Sequence, residues 1–210
     1  MACSKTMVGL VAAGIIALGG PPALAAEKAS ADWPCVQHKV VTLTSAQMWD
    51  GPEVDDLAQW RDSEESRKLI AVLASRRVPL EEAAAAIDRF AAAQPPDKRD
   101  DALKLLFAGL LNTINNDRAV VMSGIERFQQ RQKARAAEIE RQGAEIRPLK
   151  ERANNEKSQS ELTAAVDKYD WDVRVFSERQ QSLTLACEVP VLIEQRLFEL
   201  GREIRSRMKD

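Results

Sequence analysis

The chain has 210 residues, a formal net charge of −2, 45% apolar and 30% charged residues, one histidine and three cysteines. An apolar fraction of this size excludes a disordered chain, and a net charge so close to zero gives no support for general nucleic-acid binding. A single histidine excludes any site that needs two imidazoles from one chain, including HExxH proteases and paired ExxH di-metal bundles.

The first 25 residues have the pattern of a cleavable secretory leader. Lys5 gives a positive start, residues 7–18 form an apolar run, and residues 23–25 (Ala-Leu-Ala) offer the small-x-small motif of a cleavage site. An uncleaved membrane anchor is the alternative, but twelve residues are short of the roughly 20 that span a bilayer. Cleavage would leave 185 residues with a net charge of −3. We therefore expect an exported, periplasmic protein with no stable membrane insertion after cleavage.

Loss of the leader removes Cys3 and leaves two cysteines, Cys35 and Cys187, in a compartment that oxidises thiols. We predict that they form one structural disulfide, because cysteines in exported proteins are usually paired. The two lie 152 positions apart, and closing so long a loop stabilises a fold by roughly 5 kcal/mol in the chain-entropy model. A soft-metal site at Cys35, His38 and Met48 is the alternative, although a lone histidine is not a convincing ligand set.

Residues 26–62 differ from the rest of the chain and predict an extended, acidic arm. Pro34 and the β-branched residues of segment 39–44 favour extended backbone, and Ser45 is placed to cap a short turn that ends at Gly51. The arm holds three of the four tryptophans, Trp33, Trp49 and Trp60. These rings either pack the arm onto the helical body, which we favour, or form an exposed strip that recognises a partner.

Residues 63–95 predict a short helical hairpin. Its first helix begins after Ser63 with acidic residues in the first turn, and Val78-Pro79 ends it. Pro79 suits the first turn of the second helix, which ends at Pro95-Pro96. Apolar residues of the two helices should face one another, so the pair forms a small N-terminal helical head.

Residues 96–210 predict a long antiparallel helical hairpin followed by a C-terminal helix. The outgoing helix starts near Asp97 and has a seam whose steps alternate between four and three residues, which is the coiled-coil period. The positions of this seam are Val121, Ile125, Phe128, Gln132, Arg135, Ile139, Gln142, Ile146 and Leu149. Three of the nine are polar or charged, so the seam should be weak and partly wet. We expect the polar run 115–117 to kink or interrupt the helix, and Gly143 and Pro148 to bend or end it.

The most polar stretch, residues 152–159, is the predicted hairpin tip. The return helix repeats the same spacing along Leu162, Val166, Tyr169, Val173, Phe176, Gln180, Leu183 and Cys187. Cys187 therefore falls on the buried seam, where a disulfide would tie the arm to the base of the hairpin. Pro190 is expected to bend or restart the chain before a last amphipathic helix.

Together these elements predict an all-α fold: an elongated antiparallel helical hairpin or coiled-coil bundle with a small N-terminal helical head and an extended N-terminal arm. The sequence has no Gly-rich phosphate loop, no Gly-x-Ser-x-Gly motif and no histidine-supported nucleophile beyond what His38 could serve. We therefore expect neither an enzyme nor a bound cofactor or metal.

The function that we expect is that of an exported interaction protein: a scaffold, adaptor, or assembly or chaperone-like factor. It would bind another periplasmic or envelope protein through the hairpin and would have no nucleic-acid partner. A second copy of the chain could also satisfy the seam, as a homodimer. The candidate partner-binding residues are Trp33, Trp49, Gln132, Arg135 and Gln142. The alternative is a small-molecule or metal-binding module that uses the Trp-rich arm with Cys35 and His38.

Overall fold

The computed structural model describes residues 32–54 and 57–209, so the leader predicted for residues 1–25 lies outside the described part. Within these two ranges all regular structure is helical and no strand occurs. The elements are α1 (Ser45–Met48), a 3-10 turn (Gln59–Arg61), α2 (Glu64–Ala74), α3 (Leu80–Ala93), α4 (Arg99–Arg152) and α5 (Glu156–Arg205). The predicted all-α fold is confirmed, and α4 and α5 are the two arms of the predicted antiparallel hairpin.

The helical head, α2 and α3, begins with the residues that the sequence indicated. The Ser63 side chain accepts a hydrogen bond from the main-chain N–H of Ser66 at 3.1 Å, which satisfies a donor left free at the helix start. The second helix starts directly after Pro79, whose fixed φ suits this position. Glu81 and Glu82 in its first turn interact favourably with the helix dipole.

α4 is one uninterrupted helix of 54 residues, about 80 Å long at 1.5 Å per residue. The interruption predicted at residues 115–117 is wrong, because Asn115 turns its side chain towards the arm. Its amide donates to the Leu43 carbonyl and accepts from the Leu43 N–H, both at 2.9 Å. Pro148 does not end the helix either, because it lies close to the helix end and interrupts the hydrogen-bond ladder only there.

α5 is also a single helix, of 50 residues. Asn155 and Ser158 form a capping box: the Asn155 side chain accepts from the Ser158 N–H at 2.9 Å, and the Ser158 hydroxyl accepts from the Asn155 N–H at 3.1 Å. The turn between the long helices therefore lies inside the predicted tip. The restart predicted at Pro190 is wrong: this proline is buried inside the helix, and packing at the base outweighs the hydrogen bond that it removes.

The hydrophobic core lies at the base of the hairpin, where α1, α2 and α3 pack on the adjoining halves of α4 and α5. Its largest fully buried side chains include Leu73, Ile87, Phe107, Leu110, Leu197, Leu200 and Ile204. α1 approaches α5 at Gly201, where an added Cβ atom would lie 2.8 Å from the Met48 carbonyl oxygen, so only glycine permits this contact. Thr44, rather than the predicted Ser45, precedes α1, and its N–H donates to the Gln47 side chain at 3.0 Å.

The distal hairpin, residues 126–182, has a different interior. It contains two helices only, and its buried residues are Gln132, Gln142 and Asp172, all of which are polar. The apolar seam residues beside them are partly exposed. The predicted weak and partly wet seam is therefore present in this half of the hairpin.

Candidate partner-binding surface

The predicted disulfide between Cys35 and Cys187 is present, with 5.5 Å between the two Cα atoms. It fixes the arm to α5. Beyond this bond, towards the hairpin tip, Asp32 accepts a hydrogen bond from Lys133 at 2.8 Å. That bond holds the pKa of the Asp32 carboxyl below its usual range. In the other direction the arm stays attached as far as Leu43, so it lies along the hairpin on both sides of the disulfide.

The tryptophans of the arm pack inward rather than forming a recognition strip. Trp49 is only 6% exposed and stacks on Phe107, with ring centroids 4.1 Å apart. The packing favoured for the arm tryptophans is therefore present at Trp49, and a ring that is part of the core offers no surface to a partner. Trp33 is half-buried, and its Nε1 donates to the Gln37 carbonyl at 2.8 Å. Trp60 is partly buried against the core as well.

The three polar seam residues predicted to bind a partner are used inside the hairpin. Gln132, which is 3% exposed, donates to the Phe176 carbonyl at 3.3 Å. Arg135 and Gln142 donate to the two carboxylate oxygens of Asp172, at 3.0 and 2.9 Å. Burial and these bonds make Gln132 and Gln142 unavailable to a partner helix in this conformation, which corrects the prediction for these two residues. Arg135 is bound to Asp172 but its side chain is still 35% exposed. Their role here is to fix the register of α4 against α5.

Asp172 is the centre of this polar cluster. Besides the two donors from α4, it accepts a hydrogen bond from Lys168, one turn earlier on α5, at 2.8 Å. The hydrogen bonds from Lys168 and Gln142 hold the pKa of the Asp172 carboxyl below its usual range, although burial acts in the opposite direction. The carboxylate is therefore charged at neutral pH and compensated by two cations, Lys168 and Arg135.

Two arginines mark the side of α5 that α2 and α3 cover. Arg196 is 8% exposed, and its Nε donates to the Leu73 carbonyl at the end of α2, at 2.8 Å. Arg207, in the turn that follows the end of α5, forms an ion pair with Asp88 of α3 at 2.7 Å. This side of the chain is therefore part of the protein interior from Arg196 onward.

Nearer the tip, the same side of α5 has exposed apolar side chains: Trp171 is 63% exposed, Leu185 66% and Leu192 49%. They belong to a second alternation of three- and four-residue steps, roughly opposite the seam that faces α4. The positions of this outer stripe are Lys168, Trp171, Val175, Glu178, Ser182, Leu185, Val189 and Leu192. The inner seam already accounts for most apolar residues of α5, so the outer stripe was not predicted. Its own strict spacing of three and four residues was the signal that could have revealed it.

A groove of about 610 Å³ lies beside the disulfide, between the arm and α5. Val36, which is fully exposed, and Leu183 contribute to its apolar wall. His38 is exposed and does not line the groove. Because the sulfur of Cys35 is bonded to Cys187, the metal form of the alternative function loses its thiolate ligand. In residues 32–54 and 57–209, no group of three or more His, Cys, Asp or Glu side chains is placed to hold a metal ion.

Across the same two described ranges, no helix has a segment both long enough and apolar enough to cross a bilayer. Comparisons of the chain with protein-family models, with curated proteins and with solved structures give no match. A functional proposal therefore depends on the chemistry of the outer stripe and of the groove.

Proposed function

We propose that the protein is an exported, non-enzymatic interaction protein, a scaffold, adaptor or chaperone-like assembly factor, that binds its partner through the outer stripe of α5. The observation that carries this proposal is the exposure of Trp171, Leu185 and Leu192 on a side that packs against α2 and α3 further along the same helix. These three side chains share one side of the helix, which the base leaves uncovered, and tryptophan is enriched among binding hot spots.

The distal hairpin provides a rigid support for this surface. The bonds from Arg135 and Gln142 to Asp172 fix one helix against the other. A partner that docks on a preordered helix face loses less conformational entropy than one that must order a loop. The disulfide agrees with an oxidising compartment, and the leader-like sequence of residues 1–25 supports export to one.

Site-specific photo-crosslinking in cells tests the proposal. A photoreactive amino acid replaces Trp171 in one variant and Val120 in a matched control, since Val120 is 69% exposed on α4 and lies outside the stripe. We expect a discrete crosslinked species from position 171 and none from position 120. Equal labelling at both positions, or no product at position 171, would contradict the proposal.

A second candidate function, small-molecule binding, is supported by the groove beside the disulfide. Its volume of about 610 Å³ falls within the roughly 300–1,000 Å³ that is typical of ligand sites. Native mass spectrometry of the gently purified protein tests this function. A bound mass that disappears in a Thr184→Trp variant, which fills the groove from an exposed position, would support it. Absence of any bound mass from the wild-type protein would count against it.

A further inference from the structure

The part of the outer stripe between Lys168 and Glu178 has an internal symmetry about position 173 of α5. Trp171 and Val175 lie two residues on either side of this position, and Lys168 and Glu178 lie five residues on either side. If two copies of α5 are aligned antiparallel at position 173, Trp171 of one copy meets Val175 of the other, and Lys168 meets Glu178. The apolar pair and the charged pair each occur twice, as two-fold symmetry requires.

The alternative parallel alignment is unfavourable for a simple electrostatic reason. It would place Lys168 against Lys168 and Glu178 against Glu178 of the second copy, and like charges facing each other across a helix pair repel. Both side chains are exposed in the single chain. The Lys168 side chain binds Asp172 of its own helix but is still 61% exposed, so a second copy can approach it. Charge complementarity therefore selects the antiparallel arrangement.

The rest of the fold leaves room for this arrangement. In this alignment, the residue numbers of two facing positions add up to 346. Residue 156, the first of α5, therefore lies opposite residue 190 of the second copy. α2 contacts this side of α5 at Arg196, and Ile193, one turn earlier, is already buried in the core. The tip turn of each copy, residues 153–155, therefore lies opposite residues 191–193, at the edge of the other copy's base. The two bases lie at opposite ends of the pair.

We propose that the partner of the outer stripe is a second copy of this chain, paired antiparallel about position 173. This inference rests on the proposed function, because it names the partner of the same surface. The resulting dimer is a double-ended scaffold with one globular base at each end. The contact between the two copies has only two kinds of favourable pair, Trp171 with Val175 and Lys168 with Glu178. The dimer should therefore be weak, with a dissociation constant in the micromolar range or above.

Sedimentation velocity over a series of concentrations tests the pairing, with the protein purified from the oxidising compartment. We expect Glu178→Lys to raise the dimer dissociation constant about tenfold, because symmetry places the new like-charge contact in the interface twice. Glu178→Gln, which removes the negative charge without adding a positive one, should raise the dissociation constant by less than Glu178→Lys does. Lys168 is left unchanged in this test, because it also binds Asp172. Val120→Glu, outside the stripe, is the control and should leave affinity unchanged.

Engineered cysteines test the register. A chain with both Lys168→Cys and Glu178→Cys should form a covalent dimer under mild oxidation, because each new thiol lies opposite its counterpart in the second copy. Neither single variant should do so, since position 178 of one copy is about 15 Å along the axis from position 178 of the other. Within one chain the two thiols are separated by the same distance, so they cannot pair with each other.

The outcomes separate this inference from the proposed function. A protein that stays monomeric at all concentrations, or a dissociation constant that Glu178→Lys leaves unchanged, overturns the homodimer. In that case a crosslink from position 171 to a different protein would leave the proposed function intact. Failure of the proposed function would appear instead as the absence of any crosslinked species at position 171, with or without a dimer through another surface.

Discussion

Loss of the Cys35–Cys187 disulfide should lower the free energy of unfolding by about 5 kcal/mol, chiefly through the unfolded chain. The bond joins residues 152 positions apart. In the chain-entropy relation, a loop of that length restricts the unfolded state by about 17 cal/mol/K, or about 5 kcal/mol at 25 °C. The folded state should change little, because the arm keeps its contacts at Asp32, Lys39 and Leu43.

The variant that tests this reasoning carries Cys35→Ser and Cys187→Ser together, so that no free thiol remains. Urea unfolding followed by far-ultraviolet circular dichroism measures the free energy of unfolding against that of the oxidised wild type. For a chain of this size, about 5 kcal/mol corresponds to a melting temperature lowered by about 10–20 °C. Wild-type protein reduced with a phosphine is the matched control and should behave like the double-serine variant.

A loss below about 2 kcal/mol would refute the argument, because it would mean that the bond does not restrict a long loop of the unfolded chain. A second measurement locates the effect. Limited proteolysis should cut the double-serine variant first within residues 32–42, where the arm has lost its covalent attachment, and α4 and α5 should resist. Simultaneous cleavage throughout the hairpin would show that the bond also supports the folded state directly.

Three further predictions concern a close contact, a charge and the stripe. Gly201→Ala should lower the free energy of unfolding by about 1–3 kcal/mol, because the new Cβ would meet the main chain of Met48. The control is Gly124→Ala, where no atom lies closer than 4.0 Å to the new Cβ, and it should raise the free energy of unfolding by about 0.5–1 kcal/mol. Urea titration compares the two variants. Folding lowers the pKa of the Asp172 carboxyl. The ionised carboxylate therefore stabilises the fold at pH values above about 3.9, the pKa in the unfolded chain, and this stabilisation is lost as the pH falls through the lower pKa of the folded state. The melting temperature should therefore fall less steeply below about pH 4 in Asp172→Asn than in the wild type, and parallel curves would contradict this. Trp171→Ala should leave the free energy of unfolding within about 0.5 kcal/mol of wild type, because the ring is exposed. The same variant should no longer self-associate in sedimentation velocity. A large loss of stability would mean that the ring is part of the fold.

The seam and the disulfide could be predicted from the sequence, because the first depends on residue spacing along one helix and the second on the number of cysteines. Alternating three- and four-residue steps between Val121 and Leu149 require a helix with one buried side. Once the leader with Cys3 is cleaved, Cys35 and Cys187 are the two remaining cysteines, so each is the other's only possible disulfide partner within the chain. The hairpin tip followed from polarity alone, and its Asn155 capping box follows from residue types that favour helix starts.

The errors arose where tertiary contacts outweighed local preference. Asn115 looks like a helix breaker in the sequence, but its amide pairs with the main chain of Leu43, which is 72 positions away. Pro190 looks like a chain restart, but the packed base of the hairpin keeps α5 continuous through it. Trp49 was expected to pack on the helical body and does so, but the ring that it stacks on, Phe107, could not be named from the sequence. None of these partners can be identified from spacing along the chain.

The most direct test of the central claim, that the outer stripe of α5 is the binding surface, is hydroxyl-radical footprinting read out by mass spectrometry. The oxidation rates of Trp171, Leu185 and Leu192 would be compared between the protein assembled in its native compartment and the purified protein at high dilution. We predict at least a severalfold lower rate at these three positions in the assembled state, and an unchanged rate at Val72, which is 42% exposed on α2. Protection elsewhere with full oxidation of Trp171 in both states would contradict the claim.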